Sequence, residues 1–469
     1  MNIFWCFEKV ILTAFTTKKS LLKYIFMILQ ITITPGLQVL APVNNPTPLS
    51  NECPVFIGIS GSGQVNHNGV IIDNQLLIFG GTKTENDTYA SAFELFYLDL
   101  LKPFDNTNLP WNLIPEGSLP ISTSFSTVSV SSDNSTIFLF GGYITNKKKD
   151  YDYSSLVYTY NYHTKKWNTP TISGDIPPPR QSMRGVIDDS GIIYIFGGYN
   201  ATNVKESEYI GTEYNDMNIL NTTKMTWSTL IIFENLPSPC ACYSANILSN
   251  GIIVYVGGIE ANTTNSFPAN MNNIRLFDTN KYEWSQMNAT GETVDSRWFH
   301  TSVLTPDGYI IIFGGCIFEG EFGIVNSVSP NLAVLDTNKS PFEWSIPESS
   351  KINSPPSISG HEASLYYNYM IITFGFLNGN STWINSAYNS DVYLYDITSS
   401  KWVTNFNPPV VINNQTKKSS SKALVIGLAT GGGVFIVLIL IVAFIIYKKR
   451  VKVLRMSGSI SNRSQWFNK

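Results

Sequence analysis

The chain has 469 residues, a formal net charge of −3 and an aromatic content of 13%. Seven of its 31 basic residues lie in residues 448–469 and four in residues 1–23, so the stretch between them holds 20 basic residues against 33 acidic ones. An acidic main body argues against nucleic acid as a partner, because phosphate backbones are bound by basic surfaces. The aromatic content fits a β-rich fold.

The N-terminus predicts a secretory leader. The stretch KKSLLKYIFMILQITI places three lysines before an apolar core of about ten residues, which is too short to span a bilayer and is typical of a secretory signal. We therefore expect residues 1–41 to form a leader or signal segment. An uncleaved anchor is the alternative, and no cleavage site stands out.

An apolar run that ends in two glycines recurs along the chain, as LLIFGG, IFLFGG, IYIFGG, IVYVGG and IIFGG, and IITFGF is a sixth copy with one glycine. The first glycines are 56 to 61 residues apart, which excludes a single phosphate-binding loop. One tryptophan follows each glycine motif. The repeat markers are Gly80, Gly81, Gly141, Gly142, Gly197, Gly198, Gly257, Gly258, Gly314, Gly315, Gly375, Trp111, Trp167, Trp227, Trp284, Trp344 and Trp402.

Each repeat predicts four antiparallel strands, which we name a to d. Turn signals such as DSG and PDG precede the glycine-tipped run, and a later alternating patch such as LVYTYNY or VYLYD reaches the tryptophan through another polar turn. Six four-stranded units in a row predict an all-β fold, a β-propeller, over residues 42–409. Six blades are favoured, and seven are possible if residues 42–62 contain a degenerate unit.

These combined markers resemble the kelch repeat over roughly Gly63 to Asn407, and the resemblance implies a kelch-type propeller like those of membrane-anchored extracellular kelch-repeat proteins. The sequence departs from the kelch pattern at Phe376, where we place the loss of the second glycine. We expect the glycines to be architectural, because strands that end against a neighbouring blade leave no room for a Cβ. The tryptophans are expected to fill the wedges between blades.

The enzymatic alternative is a galactose-oxidase-like, copper-dependent oxidase, since that family also has kelch blades and holds copper with histidines and a Tyr-Cys cross-linked pair. His67, His300 and His361 occupy equivalent strand a positions in units 1, 5 and 6, which are neighbours in a closed ring and could converge on a metal. The other interpretation is a repeat histidine that hydrogen-bonds within the ring. No cysteine is evidently placed to cross-link a tyrosine, so we predict no catalytic residue and no cofactor.

The b to c connections are the longest in each unit, and together they form one face of the predicted ring. Binding sites on rigid scaffolds usually lie on such loops, so we expect a protein or carbohydrate partner there. Arg180, Arg184, Arg297 and Trp298 lie near the start of strand a and could hold an acidic or sugar ligand. The alternative for these four residues is a structural role between adjacent blades.

Residues 423–447 contain no charge over 25 residues, enough to cross a hydrocarbon core of roughly 30 Å as a transmembrane helix. The basic tail that follows, residues 448–469, predicts a cytoplasmic C-terminus, with the propeller and a stalk at residues 410–422 on the other side. We therefore expect a single-pass protein of the plasma membrane or a secretory-pathway membrane. A membrane-tethered adaptor with a cytoplasmic propeller is the alternative, and Gly427 and Gly431 form a candidate dimer seam.

Nine N-x-S/T sequons agree with an extracytoplasmic location, and nearly all of them lie in predicted turns or loops. They start at Asn86, Asn134, Asn200, Asn221, Asn262, Asn288, Asn338, Asn380 and Asn414. The five cysteines predict no disulfide framework, although one or two bridges can form in an oxidising compartment, with the pairing left open.

Overall fold

The computed structural model describes residues 64–409, with gaps at 86–87, 149, 204–209, 263–264, 320–323, 380 and 383–385. The predicted leader, stalk, transmembrane segment and tail lie outside these described residues, and so do Asn86, Asn380, Asn414, Gly427 and Gly431. Within the described residues, no helix is long and apolar enough to cross a bilayer.

Six blades, each with four antiparallel strands in the order a-b-c-d, form the ring, and the sheets of blades 3 and 5 have an additional fifth strand. Blade 1 consists of Asn68–Ile72, Gln75–Phe79, Leu95–Asp99 and Asn112–Leu113; blade 2 of Thr127–Val130, Thr136–Phe140, Val157–Asn161 and Lys166–Asn168; blade 3 of Val186–Ile187, Ile192–Phe196, Met217–Asn221 and Thr226–Leu230. Blade 4 consists of Ser244–Ile247, Ile252–Val256, Asn273–Asp278 and Glu283–Asn288; blade 5 of Thr301–Leu304, Tyr309–Phe313, Leu332–Asp336 and Glu343–Ser345; blade 6 of Glu362–Tyr366, Tyr369–Thr373, Val392–Asp396 and Lys401–Val403.

Shorter elements lie in the segments that connect the strands of the blades. The b to c connections carry Thr82–Glu85, Thr88–Ser91, Tyr143–Thr145, Tyr199–Asn203, Ile210–Glu213, Ile259–Ala261, Ser266–Pro268, Cys316–Glu319, Ile324–Ser327, Phe376–Leu377 and Ser381–Thr382. Four segments before strand a pair with them: Gln64–Val65, Ser122–Ser124, Cys240–Ala241 and Ile358–Ser359. The remaining elements are the strands Phe104–Asp105, Ser173–Gly174, Thr290–Gly291 and Asn405–Phe406 and two 3₁₀ turns, Pro115–Gly117 and Glu348–Lys351.

The six innermost strands contact one another in a closed circle, including strand a of blade 6 against strand a of blade 1. Just before strand a, one residue per blade has a left-handed backbone, with φ between 53° and 62°. The N–H of each donates to the carbonyl of its counterpart in the preceding blade, at 2.7 to 3.3 Å. We call these six residues the mouth ring: Asn66, Phe125, Ser182, Cys242, Phe299 and Gly360.

This circle of hydrogen bonds shows that the described ring closes with six blades. Blade 6 meets blade 1 directly through the hydrogen bond from Asn66 N to Gly360 O, so the described ring leaves no place for a seventh blade between them. The propeller expected from the sequence is confirmed, and the seven-blade alternative is wrong for the described residues.

The glycine pairs sit where two blades approach most closely. A Cβ on Gly314 would lie 2.3 Å from the carbonyl oxygen of Ile358 in the next blade, and φ is 63° at this position. A Cβ on Gly258, the second glycine of its pair, would lie 2.5 Å from the carbonyl oxygen of Ala241 in its own blade, and φ is 90°. Both contacts are with backbone that cannot move aside, so these positions require glycine.

Blade 6 differs from the expectation, because the missing glycine is the first of its pair and not the second. Phe374 N donates to the carbonyl of Asp391, the residue before strand c, and the first glycines Gly141, Gly197 and Gly314 make the equivalent bond. Gly375 N donates across the seam to Gln64 O, and the second glycines likewise donate to a carbonyl of the next blade. The sixth motif is therefore Phe374-Gly375, and assigning the loss to Phe376 was wrong. Phe376 instead begins the short strand that pairs with Ile358–Ser359.

The tryptophans fill the wedges between blades, as expected. In four blades the indole packs on a phenylalanine at the end of strand b in the preceding blade, as Trp227 does on Phe140 and Trp284 on Phe196, with ring centroids 5.1 and 4.5 Å apart. At the seam, Thr373 ends strand b, and Phe374 supplies the ring that contacts Trp111 at 5.7 Å. Phe374, one residue after the end of strand b, therefore packs on the tryptophan where the other blades use the last residue of the strand.

Candidate functional site: the channel mouth

The mouth ring encloses one end of the central channel, on the face that carries the b to c connections. Phe125 of blade 2 and Phe299 of blade 5 lie on opposite sides of this ring, and their ring centroids are only 5.5 Å apart. The mouth is therefore a shallow depression with a cavity volume of about 70 Å³ and not an open pore. Its walls include His67, His300 and His361.

A second pair of side chains crosses the channel beneath the mouth. Arg184 of blade 3 donates to both carboxylate oxygens of Glu362 in blade 6, at 3.1 and 3.0 Å. Burial raises the pKa of Glu362, and the Arg184 guanidinium opposes that rise. Both residues line the mouth and also a deeper, mostly apolar cavity of about 350 Å³, so the ion pair forms a partition between the two spaces.

The three histidines do not form a metal site. A hydrogen bond joins the Nε2 of each to a hydroxyl of the preceding blade: His67 to Thr373 at 2.8 Å, His361 to Thr301 at 2.7 Å and His300 to Ser244 at 3.0 Å. Burial, followed by the charge of Arg184 for His67 and that of His67 for His361, lowers both pKa values to about 3. Burial also lowers the pKa of His300 well below its usual value.

These histidines are therefore neutral braces between blades. Across the described residues, no group of three or more His, Cys, Asp or Glu side chains is placed to hold a metal ion. The convergence required for a copper or zinc site is not found, and the geometry gives no support to the oxidase alternative.

Of the four residues considered as ligand binders, Arg180 and Arg297 are structural. Arg180 donates to Asp216 at 2.6 and 3.0 Å and to Gly197 O at 2.9 Å, and Arg297 donates to Gly314 O at 3.0 Å. Their side chains brace their own blade, while their backbone carbonyls accept the second-glycine N–H of the preceding blade. The alternative that such residues link blades therefore holds for the backbone and not for the side chains.

Arg184 and Trp298 have different surroundings. The Arg184 guanidinium is occupied by Glu362, so it is not a free cation for an acidic ligand. Trp298 is buried, and its ring packs on Phe318 of the blade 5 hairpin at 4.9 Å. The indole therefore supports the hairpin from below.

The described cysteines are all free thiols: Cys240, Cys242 and Cys316. Burial raises the pKa of Cys240 to about 11 and that of Cys316 to about 12, which leaves both thiols protonated and unreactive. No disulfide joins them, and Cys6 and Cys53 lie outside the described residues.

A row of aromatic rings crosses the mouth from the blade 2 hairpin to the blade 5 hairpin, and successive ring centroids are 4.9 to 6.5 Å apart. Most of its rings are partly exposed, and Tyr151 is 50% exposed. We call this row the aromatic strip: Tyr153, Tyr151, Tyr143, Phe125, Phe299, Phe318 and Trp298.

Of the strip, only Trp298 is predicted from the sequence as a site residue. Its two halves are about 150 residues apart, and they meet only because blades 2 and 5 face each other across a six-membered ring. The available signal was an aromatic residue two positions before strand a in units 2 and 5, Phe125 and Phe299, where other units have Asn66, Ser182, Cys242 or Gly360.

The six sequons in the described residues differ in their surroundings. Asn134, Asn262 and Asn288 are exposed, and Asn200 and Asn221 are half-buried. Asn338 also reaches the surface, but its Nδ2 donates to Asp307 O at 2.9 Å, which ties down the atom that a glycan would use.

The architecture defines a class of protein, the six-bladed kelch-type propeller, and comparison with known families agrees. The KLHDC2/KLHL20/DRC7 Kelch-repeats domain matches residues 66–315 and 264–427, so the chain belongs to the kelch-repeat family.

Individual relatives are distant. Kelch domain-containing protein 3 of Rattus norvegicus is 28% identical over 270 residues, which are 54% of this chain and 64% of that protein. The chain thus spans slightly less than two thirds of that relative. A protein of Thlaspi arvense named N-(sulfonatooxy)prop-2-enimidothioate sulfolyase is 24% identical over 203 residues, 42% of this chain and 53% of that protein.

A solved structure, described as the structure of YjhT, superposes with a TM-score of 0.51 at 13% identity and covers 73% of this chain and 97% of its own. At this identity the likeness concerns the fold alone. Kelch-repeat domains generally bind protein partners, and that general role is the functional statement that membership supports.

Proposed function

We propose that the propeller binds a protein or carbohydrate partner on its mouth face, along the aromatic strip, without catalysis. The carrying observation is the contact of Phe125 with Phe299 across the ring, which joins two hairpins into one continuous aromatic surface. Aromatic side chains give large contact areas at a low cost in conformational entropy, and they are enriched at binding surfaces.

The closed channel supports surface binding over a buried active site. Phe125 and Phe299 cover the mouth, and the Arg184–Glu362 pair blocks the channel beneath them. A partner would therefore meet the outer surface of the hairpins. A protein partner is favoured over a carbohydrate, because kelch-repeat domains generally bind proteins.

The positions of the sequons also support the aromatic strip as the binding surface. In the sequence, Asn86, Asn200, Asn262 and Asn380 fall in the b to c connections of blades 1, 3, 4 and 6, while those of blades 2 and 5 contain no sequon. Of these four, the described residues Asn200 and Asn262 lie in the connections of blades 3 and 4, so glycans there would leave the hairpins of blades 2 and 5, which carry the strip, bare.

The test is a paired substitution. Tyr151→Ser with Tyr153→Ser removes the exposed end of the strip, and Tyr367→Ser changes an exposed tyrosine on the a to b turn of blade 6, at the other face. Proteins cross-linked to the wild-type chain are identified by mass spectrometry and compared between the variants. We expect at least one partner to be lost with the strip variant and retained with the control; equal capture by both would refute the proposal.

We further propose that residues 423–447 anchor the chain in a plasma or secretory-pathway membrane, with the propeller extracellular or lumenal and the tail cytoplasmic. The supports are the uncharged 25-residue run, the basic tail and the exposed sequon asparagines. Glycan mapping on protein from a eukaryotic secretory host tests the topology. Occupancy at Asn134 and Asn288 is expected, and a membrane-bound chain with no occupied site would favour the adaptor with a cytoplasmic propeller.

Dimerisation through Gly427 and Gly431 belongs to this anchoring proposal. Because small residues let two helices approach closely in a bilayer, Gly427→Leu with Gly431→Leu is expected to abolish cross-linked dimers of the full chain. Dimers that persist in this variant would contradict the seam.

A further inference from the structure

The segment between strand d of one blade and strand a of the next is here called the linker. In two different ways, the linkers cover the outer edges of the blades that they enter. In blades 2 and 6, a 3₁₀ turn of the linker lies beside strand d, and its carbonyl accepts the indole N–H: Trp167 donates to Gly117 O at 2.8 Å and Trp402 to Ser350 O at 2.7 Å. In blades 3 and 5, the linker instead adds a short fifth strand, parallel to strand d.

The two fifth strands share one geometry. Ser173 N and Asp175 N donate to the carbonyls of Met225 and Trp227, both at 3.1 Å. In blade 5, Thr290 N and Glu292 N donate to the carbonyls of Phe342 and Trp344 at 2.8 and 3.0 Å. The sequences on the edge are Ser-Gly-Asp and Thr-Gly-Glu.

The central glycine is obligatory in both. A Cβ on Gly174 would lie 2.1 Å from Trp227 O, and one on Gly291 would lie 2.1 Å from Trp344 O. With φ near 90°, these backbones also lie where L-residues are strained. A side chain at this position therefore prevents the fifth strand from docking.

The linker into blade 4 has no glycine at the position where the linkers into blades 3 and 5 have one. Glu234 lies six residues before Cys240, as Gly174 and Gly291 lie six residues before Arg180 and Arg297, the three residues whose carbonyls accept second-glycine N–H groups. The linker reads Phe-Glu-Asn where the others read Ser-Gly-Asp and Thr-Gly-Glu. It forms no fifth strand, and no hydrogen bond among the described residues joins it to strand d of blade 4.

Two further features indicate that the outer edge of blade 4 is uncovered. The Nε1 of Trp284, which is 2% exposed, has no acceptor, whereas in blades 2 and 6 the linker supplies one. The linker also exposes Ile231 and Phe233, at 80% and 85%. Among blades 2 to 6, whose linkers the structure describes, blade 4 alone has an edge that its own linker leaves open.

We propose that the outer edge of blade 4 binds an extended polypeptide segment of a partner protein, which adds as a parallel fifth strand beside Glu283 and Trp284. The bound segment carries the pattern Ser/Thr-Gly-Asp/Glu, because this is the chemistry that occupies the same edge in blades 3 and 5. Its backbone N–H groups donate to the edge carbonyls, as in other cases of strand addition, and glycine avoids the Trp284 carbonyl. This surface is separate from the aromatic strip.

The probe is a fluorescent peptide with the sequence of residues 288–294, NATGETV, titrated onto the purified full-length chain. Saturable binding is expected, together with at least a tenfold loss for a peptide with valine in place of the glycine. Slowed amide exchange in residues 283–285 would locate the peptide on the edge. Equal binding of the two peptides, no saturable binding or protection elsewhere would overturn the proposal.

A variant that closes the edge provides the independent test. Phe233→Ser with Glu234→Gly and Asn235→Asp gives the linker the sequence found in blade 3, so the linker should fill its own edge and reduce peptide affinity at least tenfold. The matched control, Phe233→Ser with Glu234→Ala and Asn235→Asp, keeps the Cβ and should bind like the wild type. Thermal unfolding of both variants shows that they are folded, and equal affinity of the two would contradict the proposal.

Discussion

Arg184 and Glu362 form a bidentate ion pair across the central channel, between blades that are opposite each other in the ring. The Arg184 side chain is 25% exposed and that of Glu362 is 11% exposed, so the pair is largely removed from water. It joins blades 3 and 6, which share no sheet hydrogen bond.

Breaking this pair should destabilise the ring. Glu362→Gln leaves the guanidinium without its counter-charge, and loss of one partner of a buried pair costs about 3–5 kcal/mol. We expect the lower end of that range, because Arg184 keeps some contact with water. The measurement is urea unfolding. The double variant Arg184→Met with Glu362→Leu should recover most of the loss, and a single variant within about 0.5 kcal/mol of wild type would show that solvent screens the pair.

The buried histidines should make the propeller acid-sensitive. The folded state lowers the pKa values of His67 and His361 to about 3, so their stabilising contribution is complete above the ordinary pKa of 6.5 and is lost as the pH falls towards 3. Each histidine should contribute about 1.4 kcal/mol per pH unit in that window. His67→Gln should reduce the slope of unfolding free energy between pH 6 and 4.5 accordingly. The exposed His163→Gln is the control for a histidine substitution at the surface, and an unchanged slope in His67→Gln would be evidence against burial of the His67 imidazole.

A methyl group at a first glycine should be costly. Gly314→Ala combines a 2.3 Å contact between Cβ and the Ile358 carbonyl with a left-handed backbone, and the backbone strain alone is about 1–2 kcal/mol. Gly185→Ala is the control, since its backbone is outside the left-handed region and the nearest atom to its Cβ would be the Thr127 side chain at 3.3 Å. We expect a clear drop in melting temperature for the first variant and a much smaller one for the second. Equal melting temperatures would mean that adjacent blades can separate at no cost.

Restoring the repeat consensus at the seam should weaken the protein. Phe374 contacts Phe96, Trp111 and His67, with ring centroids 5.3 to 6.4 Å apart. Phe374→Gly removes a buried aromatic ring, for which losses of about 3–5 kcal/mol are typical. Chemical denaturation would measure it. A variant as stable as wild type would show that the seam does not depend on this ring.

The sequence was sufficient to predict the fold because its signals are local and repeated. Five glycine pairs at a near-constant spacing, each followed by a tryptophan, specify strand, turn and wedge within one unit. The sixth motif was assigned as Gly375-Phe376, one residue too late, because Phe374-Gly375-Phe376 permits two alignments. Only the hydrogen bonds to Asp391 and Gln64 decide between them.

The site was less predictable, because it depends on contacts between distant units. The pairing of Arg184 with Glu362 and the contact of Phe125 with Phe299 both require that blades three apart face each other. Equivalent positions did place His67, His300 and His361 on one ring, but the partner of each is a hydroxyl of the preceding blade, which the spacing of histidines alone does not reveal.

Cross-linking mass spectrometry on the full chain, expressed in a eukaryotic host, would show whether the partner binds at the aromatic strip. We predict that cross-links to the partner come from Lys147 and Lys148, beside Tyr151 on the blade 2 hairpin, and that Tyr151→Ser with Tyr153→Ser removes them. Cross-links that arise instead from lysines of the opposite face, such as Lys224 and Lys281, and that persist in this variant would contradict it.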